Sequence, residues 1–364
     1  MKNTFIMIER YFPDVTASGN LIMNLVPYFQ QDGGVTILAT GKASGEELDG
    51  GVIRFPIEKN VGILDKVLAK CQRKPIVYNL KMAQFLVGCL KDNQSISLIP
   101  VTIGELALAV QLKKDYAQQV AVYPFLLEEL LIGYDKKQKE ILKEEILTYS
   151  DAIFVLPKLK DYFQDTEKVV IVEHPMVRNC VNPQPSQEKR VIYAGGLNRS
   201  TRNPENIIQA FSDLDLPGID LVFYSYGNYQ KQLAKWATSF QRFHSKGAVN
   251  SEVAMAELMN ASIILTIGNR NSNLVPSKLF DCISTGNPIV HFYYETTDPY
   301  ISYLKEYPHA LCLDINAIDY HQLREFVEHK AGQKVEYSII QKKFEATTPE
   351  FVYKQMQAVM GNES

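Results

Sequence analysis

Residues 191–214 read VIYAGGLNRSTRNPENIIQAFSDL and set the pattern for the second half of the chain. A short apolar run, Val191 to Ala194, is followed by two glycines, a polar loop and a helical stretch that starts near Pro204. Paired glycines permit a tight turn, and proline suits the first turn of a helix. The segment therefore predicts a strand, a turn and a helix in succession.

The same strand-and-helix unit recurs on both sides of this segment. In the second half, strands are predicted at 191–194, 220–224, 244–249, 263–267, 288–292 and 310–313. Shorter apolar runs alternate with helical patterns in the first half as well. This alternation is typical of parallel sheets covered by helices on both faces. We predict an α/β fold of two Rossmann-like, doubly wound domains that face each other across a cleft.

The length of 364 residues favours two domains over one. A stretch near His174 to Lys189 is rich in proline and asparagine and lacks apolar periodicity, which indicates a linker. We predict a first domain at 1–175, a linker at 176–190 and a second domain at 191–345. The last helix, within 346–364, is expected to pack back on the first domain.

Composition narrows the classes of function. A net charge of -3 argues against a nucleic-acid partner. The five cysteines are scattered and form no CxxC pair, which argues against a disulfide framework or a zinc cluster and favours a reducing cytoplasm. The most apolar window, 96–112, is interrupted by Glu105 and is shorter than the ~20 residues of a membrane span. We expect a cytoplasmic protein.

Two loops of the second half carry cationic residues where a ligand is expected. In a sheet of order 3-2-1-4-5-6, ligands bind beyond the carboxyl ends of the first and fourth strands. The loop after the first strand holds Gly195, Gly196, Arg199 and Arg202, and the loop after the fourth leads to Lys278 in the first turn of a helix. Guanidinium groups suit phosphate oxygens, and a lysine at a helix start is unfavourable unless an anion lies nearby. Together the two loops predict a site for a nucleotide diphosphate.

Asp281 follows Lys278 by three residues and shares its helix face. Its carboxylate can accept hydrogen bonds from the hydroxyls of a ribose, or it can form an ion pair with Lys278. The sequence leaves both interpretations open.

Residues 275–290, VPSKLFDCISTGNPIV, resemble the donor-site helix of family 4-type GT-B glycosyltransferases. Residues 193–197 and 202–211 look like the start of that family's second domain, and HSKGAV at 244–249 resembles its base-contacting signature. The resemblance implies a retaining, metal-independent transferase whose donor is a nucleotide-diphosphate sugar, with UDP favoured. The donor is a substrate and not a cofactor.

Carried over by position, the resemblance gives roles to residues of this chain. Arg202 and Lys278 would balance charge on the departing nucleotide, and Asp281 would hold the ribose. The other donor-side candidates are Gly195, Gly196, Arg199, Tyr226, Gly227, Val249, Asn273, Val275 and Ser277. On the acceptor side the resemblance gives Ser18, Gly19 and Asn20. Glu129, and Glu105 as a further catalytic candidate, are added because they are predicted near strand ends of the first domain and could face the acceptor.

Three functions stay open at this stage. The leading one is sugar transfer to a glycan, a lipid-linked or a protein acceptor in cell-surface polysaccharide or glycoconjugate assembly at the inner face of the membrane. A GT-B nucleotide-sugar epimerase is the second, although the acid/base set it needs is not located. A non-catalytic GT-B subunit is the third. It is favoured by Asn273, which stands where the family has an acidic residue, and by the family's first-domain histidine, which is missing. Peripheral membrane contact through the basic run at Lys136, and assembly with a second copy or a partner transferase, are also left open.

Overall fold

The fold is described from a computed structural model of the chain. It describes residues 3–11, 17–31, 33–41, 51–56, 79–91, 94–127, 136–163, 166–182, 189–270 and 277–361. The chain divides into two compact units, one formed by Met1–Pro175 with Ala346–Ser364 and the other by Met176–Glu345.

The strands of the described residues are β1 (Asn3–Ile8), β2 (Thr36–Gly41), β3 (Val52–Pro56), β4 (Ile96–Pro100), β5 (Val120–Val122), β6 (Phe125–Leu126), β7 (Ile153–Val155), β8 (Val169–Ile171), β9 (Lys189–Leu197), β10 (Ile219–Gly227), β11 (Phe243–Gly247), β12 (Ile263–Ile267), β13 (Ile289–Tyr293) and β14 (Ala310–Asp314). The helices are α1 (Ala17–Gln31), α2 (Leu80–Lys91), α3 (Ile103–Asp115), α4 (Lys136–Tyr149), α5 (Lys160–Phe163), α6 (Glu205–Leu214), α7 (Gln230–Ser239), α8 (Ser251–Met259), α9 (Lys278–Ser284), α10 (Pro299–Glu306), α11 (Tyr320–Lys330), α12 (Tyr337–Lys343) and α13 (Pro349–Gly361). Short 3-10 turns cover Pro157–Leu159 and Glu345–Thr347. Within the described ranges, no helix is both long enough and apolar enough to cross a membrane.

The first unit is organised around a parallel sheet with the order β3-β2-β1-β4-β5. Its inner strand β4 is buried at every position, as expected for a strand covered on both faces. Pro124 follows β5 and cannot continue the ladder because proline has no N–H to donate. After it the chain forms a separate parallel sheet, β6-β7-β8, in which the Phe154 N–H donates to the Pro124 carbonyl at 2.8 Å. The strands at 120–122 and 153–155 therefore belong to different sheets.

The second unit contains a six-stranded parallel sheet with the order β11-β10-β9-β12-β13-β14. This is the predicted 3-2-1-4-5-6 arrangement. The first strand, β9, lies beside the fourth, β12, with Val191 opposite Ile263 and Tyr193 opposite Leu265. The strand order reverses between these two, so their carboxyl ends define the ligand-binding edge of the sheet. The predicted α/β class, with Rossmann-like doubly wound units, is confirmed.

Helix α6 anchors the loop that follows β9. It buries Ile207, Ile208 and Phe211 in the core of the second unit, with the spacing of one helix face. Each such side chain stabilises the fold by about 1.5–3 kcal/mol when fully buried. The start of the helix is fixed by Asn203, whose Oδ1 accepts from the Glu205 N–H at 2.9 Å. The preceding loop is therefore held at both ends.

The segment after Pro175 belongs to the second unit. Val177 is fully buried, and the N–H groups of Arg178 and Cys180 donate to Ser284 Oγ and to its carbonyl at 3.1 and 3.2 Å. Residues 176–182, which lie at the start of the predicted linker, thus pack as part of that unit.

The final helix α13 lies in the first unit and packs on α1. The Tyr353 ring meets Phe29 edge-on, with 4.8 Å between the ring centres. Val352 and Met356, on the same helix, are buried as well. The chain therefore returns to its first unit after completing the second.

Candidate functional site

The loops after β9, β12 and β13 are tied together at the carboxyl edge of the second unit's sheet. The Arg270 N–H, after β12, donates to the Thr201 carbonyl, after β9, at 3.0 Å. The Tyr294 hydroxyl, after β13, accepts from the Asn203 N–H at 2.7 Å. The Arg270 guanidinium also lies 4.5 Å from the centre of the Tyr294 ring. The loops that sequence analysis singled out are thus in direct contact.

A tight turn sets the position of Arg202. Its N–H donates to the Asn198 carbonyl at 2.7 Å, and the Asn198 N–H donates back to the Arg202 carbonyl at 3.2 Å. Within the turn, Asn198 Oδ1 accepts from the Ser200 N–H at 3.0 Å and from its hydroxyl at 2.8 Å. The backbone of Arg202 is therefore fixed before any ligand arrives.

Arg202 and Lys278 line the same small cavity. Its other lining residues include Tyr193 of β9, Thr266 of β12 and Tyr300 of α10. The cavity encloses about 40 Å³, which is room for about two or three water molecules. The cavity therefore brings the two predicted cations to one place, but its enclosed space fits only a small polar group.

The Arg202 guanidinium lacks part of its hydrogen bonding. Its Nε is buried and has no partner among the described residues. A buried donor left without an acceptor costs about 1–3 kcal/mol. An acceptor oxygen placed in the cavity would remove this cost.

Lys278 is the first residue of α9 and is half-buried. Across the described part of the chain, no carboxylate lies within 4 Å of its ammonium. Asp281 instead pairs with Arg178, with 3.5 Å between Nη2 and Oδ1. Burial raises the pKa of Asp281, and the positive charges of Arg178 and Lys278 oppose that shift. Of the two interpretations left open by the sequence, the ion pair with Lys278 is replaced by a pair with Arg178.

The structure places Gly195 and Gly196 in the last part of β9, and the turn predicted there follows at 198–202. Tyr193 contacts both glycines. Its hydroxyl donates to the Gly196 carbonyl at 2.8 Å, and a side chain at Gly195 would press on that hydroxyl at 3.0 Å. Burial raises the pKa of Tyr193 to about 12, against the nearby charge of Arg202. The phenol therefore keeps its proton at neutral pH. Gly196 in turn lies under the ring of Tyr226, which is 63% exposed.

Gly227 has a structural requirement of its own. It adopts a φ of +111°, and a Cβ there would overlap the carbonyl oxygen of Leu197 on β9. Because β9 and β10 pair along their whole length up to this point, neither backbone can move aside easily. Gly227, which the resemblance places in the donor pocket, is therefore required for the close contact between β9 and β10.

We expect Gly227→Ala to lower the free energy of unfolding by several kcal/mol, because strain at positive φ adds to a backbone clash. Gly218→Ala is the matched control: its φ is +72°, but the space around its Cβ position is open. The control should cost about 1 kcal/mol. Urea unfolding of both variants measures the difference, and equal losses would show that the clash with Leu197 is absent.

Of the remaining donor-side candidates, those that the structure describes are not among the residues that line the cavity. Arg199 is exposed, and its guanidinium lies 5.8 Å from the centre of the Tyr229 ring at the start of α7, so it does not line the cavity. Val249 follows β11 and is 37% exposed. Ser277 is half-buried and directly precedes Lys278. Asn273 and Val275 lie outside the described residues.

On the acceptor side, Ser18, Gly19 and Asn20 lie in the first turn of α1. Glu129 falls outside the described residues. Glu105 is buried in the first turn of α3, beside the carboxyl ends of the first unit's strands. Its carboxyl group accepts from the Thr102 hydroxyl at 2.6 Å and from the Thr40 hydroxyl at 3.4 Å. These contacts tie the ends of β2 and β4 together.

Glu105 makes stability depend on pH. Burial raises its pKa above the ordinary 4.5, and the nearby Glu9 adds to the shift against the bonds from Thr102 and Thr40. The folded protein therefore keeps a proton that the unfolded chain releases, so stability falls as pH rises from about 4.5 towards the raised value. We expect this decline in the wild type and not in Glu105→Gln. Urea unfolding of both proteins from pH 5 to 8 checks it, and a constant difference between them would contradict it.

Sequence reasoning missed several residues of this region. Arg178 precedes its partner Asp281 by 103 positions, so no local spacing could pair them. Tyr193 lies in a predicted strand, and its spacing gives no sign that it lines the cavity. One signal was available for His291: a histidine inside an otherwise apolar strand needs a buried partner.

The fold is that of the GT-B class. A solved glycosyltransferase from Rickettsia africae is similar, with a TM-score of 0.64, 10% identity and 99% of each chain covered. A lipopolysaccharide outer core galactosyltransferase is similar with a TM-score of 0.61 and 11% identity, over 99% of this chain and all of that one. A putative UDP-N-acetylglucosamine 2-epimerase from Listeria monocytogenes also gives 0.61 and 11%, over 100% and 97% of the two chains. No protein-family model matches the chain, and no curated protein matches it in sequence.

Proposed function

We propose that the chain is a glycosyltransferase that moves a sugar from a nucleotide-diphosphate donor to a hydroxyl of a glycan, lipid-linked or protein acceptor. The observation that carries this proposal is the convergence of Arg202 and Lys278 on one cavity, where Arg202 Nε is buried without a described partner. A phosphate oxygen can accept a hydrogen bond from this nitrogen, and its negative charge balances the positive charges of both side chains.

In the proposed reaction, the bond between the anomeric carbon and the diphosphate oxygen breaks, and its electron pair goes to the diphosphate. The acceptor oxygen forms the new bond to the anomeric carbon, and its proton passes to the departing diphosphate oxygen. Negative charge therefore grows on the diphosphate in the transition state. Fixed cations at that position stabilise the transition state more than the ground state, which is the condition for catalysis.

Further features of the proposal rest on the sequence resemblance. We assign UDP as the nucleotide, retention of configuration, independence from metal ions, and a role in cell-surface polysaccharide or glycoconjugate assembly on the cytoplasmic side of the membrane. The similarity to a putative UDP-N-acetylglucosamine 2-epimerase and to glycosyltransferases supports the substrate class.

An epimerase is the second candidate because one of the similar structures is described as such. It would need an acid/base pair at a sugar carbon. The described lining of the cavity offers phenols, a thiol and cations, but neither a carboxylate nor a histidine. This lining favours transfer.

The test is a panel of UDP- and GDP-sugars incubated with the protein, with slow donor hydrolysis as the readout. A transferase releases the nucleoside diphosphate and free sugar, whereas an epimerase yields a new nucleotide sugar without releasing the nucleotide. A thermal shift with UDP or GDP accompanies either activity. No turnover and no thermal shift with any donor would contradict the proposal and favour a non-catalytic subunit.

A further inference from the structure

Three polar side chains form a buried chain behind the cavity. Thr266 of β12 places its Oγ1 2.9 Å from Nδ1 of His291 on β13. The other ring nitrogen, Nε2, lies 3.4 Å from Oδ2 of Asp298, which precedes α10. His291 is fully buried, and Thr266 and the Asp298 side chain are each 6% exposed. Buried polar groups are costly, so an arrangement of three calls for a physical account.

Asp298 is held with one oxygen directed at the histidine. Its Oδ1 accepts from the Tyr300 N–H at 2.9 Å and so caps α10. Its Oδ2 lies against Gly268, where any side chain would overlap it. The glycine after β12 therefore leaves the space that the carboxylate occupies.

The contacts determine which nitrogen of His291 carries the proton. A carboxylate only accepts, so the nitrogen that faces it must donate. Nε2 makes no hydrogen bond to any described residue, and its 3.4 Å contact with Asp298 Oδ2 is an electrostatic one. Burial lowers the pKa of His291, and Asp298 only partly offsets this, so the ring is neutral at neutral pH and has one N–H. Nε2 is then the donor and Nδ1 an acceptor.

The hydroxyl of Thr266 must therefore donate to Nδ1. The competing acceptor, the Val290 carbonyl, is farther away at 3.5 Å. With its proton committed, the Thr266 oxygen presents only lone pairs elsewhere. Thr266 lines the cavity, where the charged donors are Arg202 and Lys278.

We propose that His291 and Asp298 are positioning residues that hold the proton of the Thr266 hydroxyl away from the cavity, so that its oxygen presents only lone pairs towards the cationic side chains of the phosphate site. This inference rests on the proposed function, because it assigns the cations to a diphosphate. A free hydroxyl could turn its proton towards the cations and repel them. The contacts among Thr266, His291 and Asp298, here called the relay, prevent this. They also leave the Thr266 hydroxyl without a proton to donate to a phosphate oxygen, so the anion binds to the cations instead.

Asp298→Asn tests the relay because it keeps the shape of the side chain. The asparagine oxygen can still cap α10, but its amide would donate to Nε2 and move the ring proton to Nδ1. Thr266 would then accept from His291 and turn its own proton towards the cations. We expect the Kd for UDP, measured by calorimetry, to rise about 10-fold, as for the loss of one hydrogen bond to a charged group.

Asp298→Asn in a Thr266→Val background is the matched control, because valine has no hydroxyl proton that could turn towards the cations. There Asp298→Asn should change the Kd for UDP less than twofold. A merely structural role for Asp298 would give the same loss of affinity in both backgrounds, and that result would overturn the relay while leaving the proposed function in place. Failure of the wild type to bind either UDP or GDP would overturn both.

A second measurement uses the unsubstituted protein. Nitrogen-15 NMR of the histidine rings distinguishes the two neutral tautomers. We expect the proton of His291 on Nε2. A proton on Nδ1 would overturn the relay even if the variants failed to fold.

Discussion

Replacing Arg202 with alanine is expected to lower kcat/KM for the donor by about 10²- to 10³-fold, the usual effect of removing one preorganised donor from a site of developing charge. The tight turn at 198–202 fixes the backbone of Arg202, and its buried Nε has no hydrogen-bond acceptor among the described residues. Little reorganisation is therefore needed when charge grows on the diphosphate. Initial rates of donor hydrolysis measure the loss.

Two comparison variants sharpen this result. Arg202→Lys keeps the charge but not the planar set of donors, so an intermediate loss of about 10-fold is expected. Arg242→Ala removes a guanidinium that pairs with Asp215 just before β11, at the opposite edge of the sheet, and should leave kcat/KM within about twofold. Equal kcat/KM values for Arg202→Ala and Arg242→Ala would show that Arg202 is not part of the donor site.

Replacing Lys278 with alanine is expected to lower kcat/KM by about 10²-fold. Lys278 lines the cavity, and no described carboxylate lies within 4 Å of its ammonium, so its charge is available to the diphosphate. Lys342→Ala, which removes an exposed lysine from α12 in the same unit, is the control and should have little effect.

The double variant Arg202→Ala/Lys278→Ala tests whether the two side chains act on one group. Residues that stabilise the same charge give non-additive losses. The combined loss should therefore be smaller than the product of the single losses. A fully multiplicative loss would indicate two independent sites.

The second unit was the more predictable part of the fold. Most of its strands contain apolar runs, such as 191–194, so periodicity located them, although β9 continues to Leu197 and β11 is largely polar. Their order in the sheet is the usual one of a doubly wound domain. In the first unit, Pro124 divides what reads as one sheet, and which strands pair on each side depends on contacts over long sequence separations.

The candidate site was predictable only in its loops. Position at the ends of the first and fourth strands is a property of topology, so Arg202 and Lys278 could be named from sequence. The hydrogen-bond and ion-pair partners of the side chains in the site could not be predicted from the sequence. Asp281 pairs with Arg178, and Thr266 meets His291 only because β12 and β13 are neighbours in register, with these two residues opposite each other. The orientation of Arg199 towards Tyr229 is likewise a matter of packing that no spacing reveals.

A crystal structure of the protein with UDP tests the central claim most directly. The account predicts that the diphosphate lies at the carboxyl ends of β9 and β12, with phosphate oxygens within hydrogen-bond distance of both Arg202 and Lys278. A diphosphate bound elsewhere on the chain, with both side chains free of it, would contradict the account.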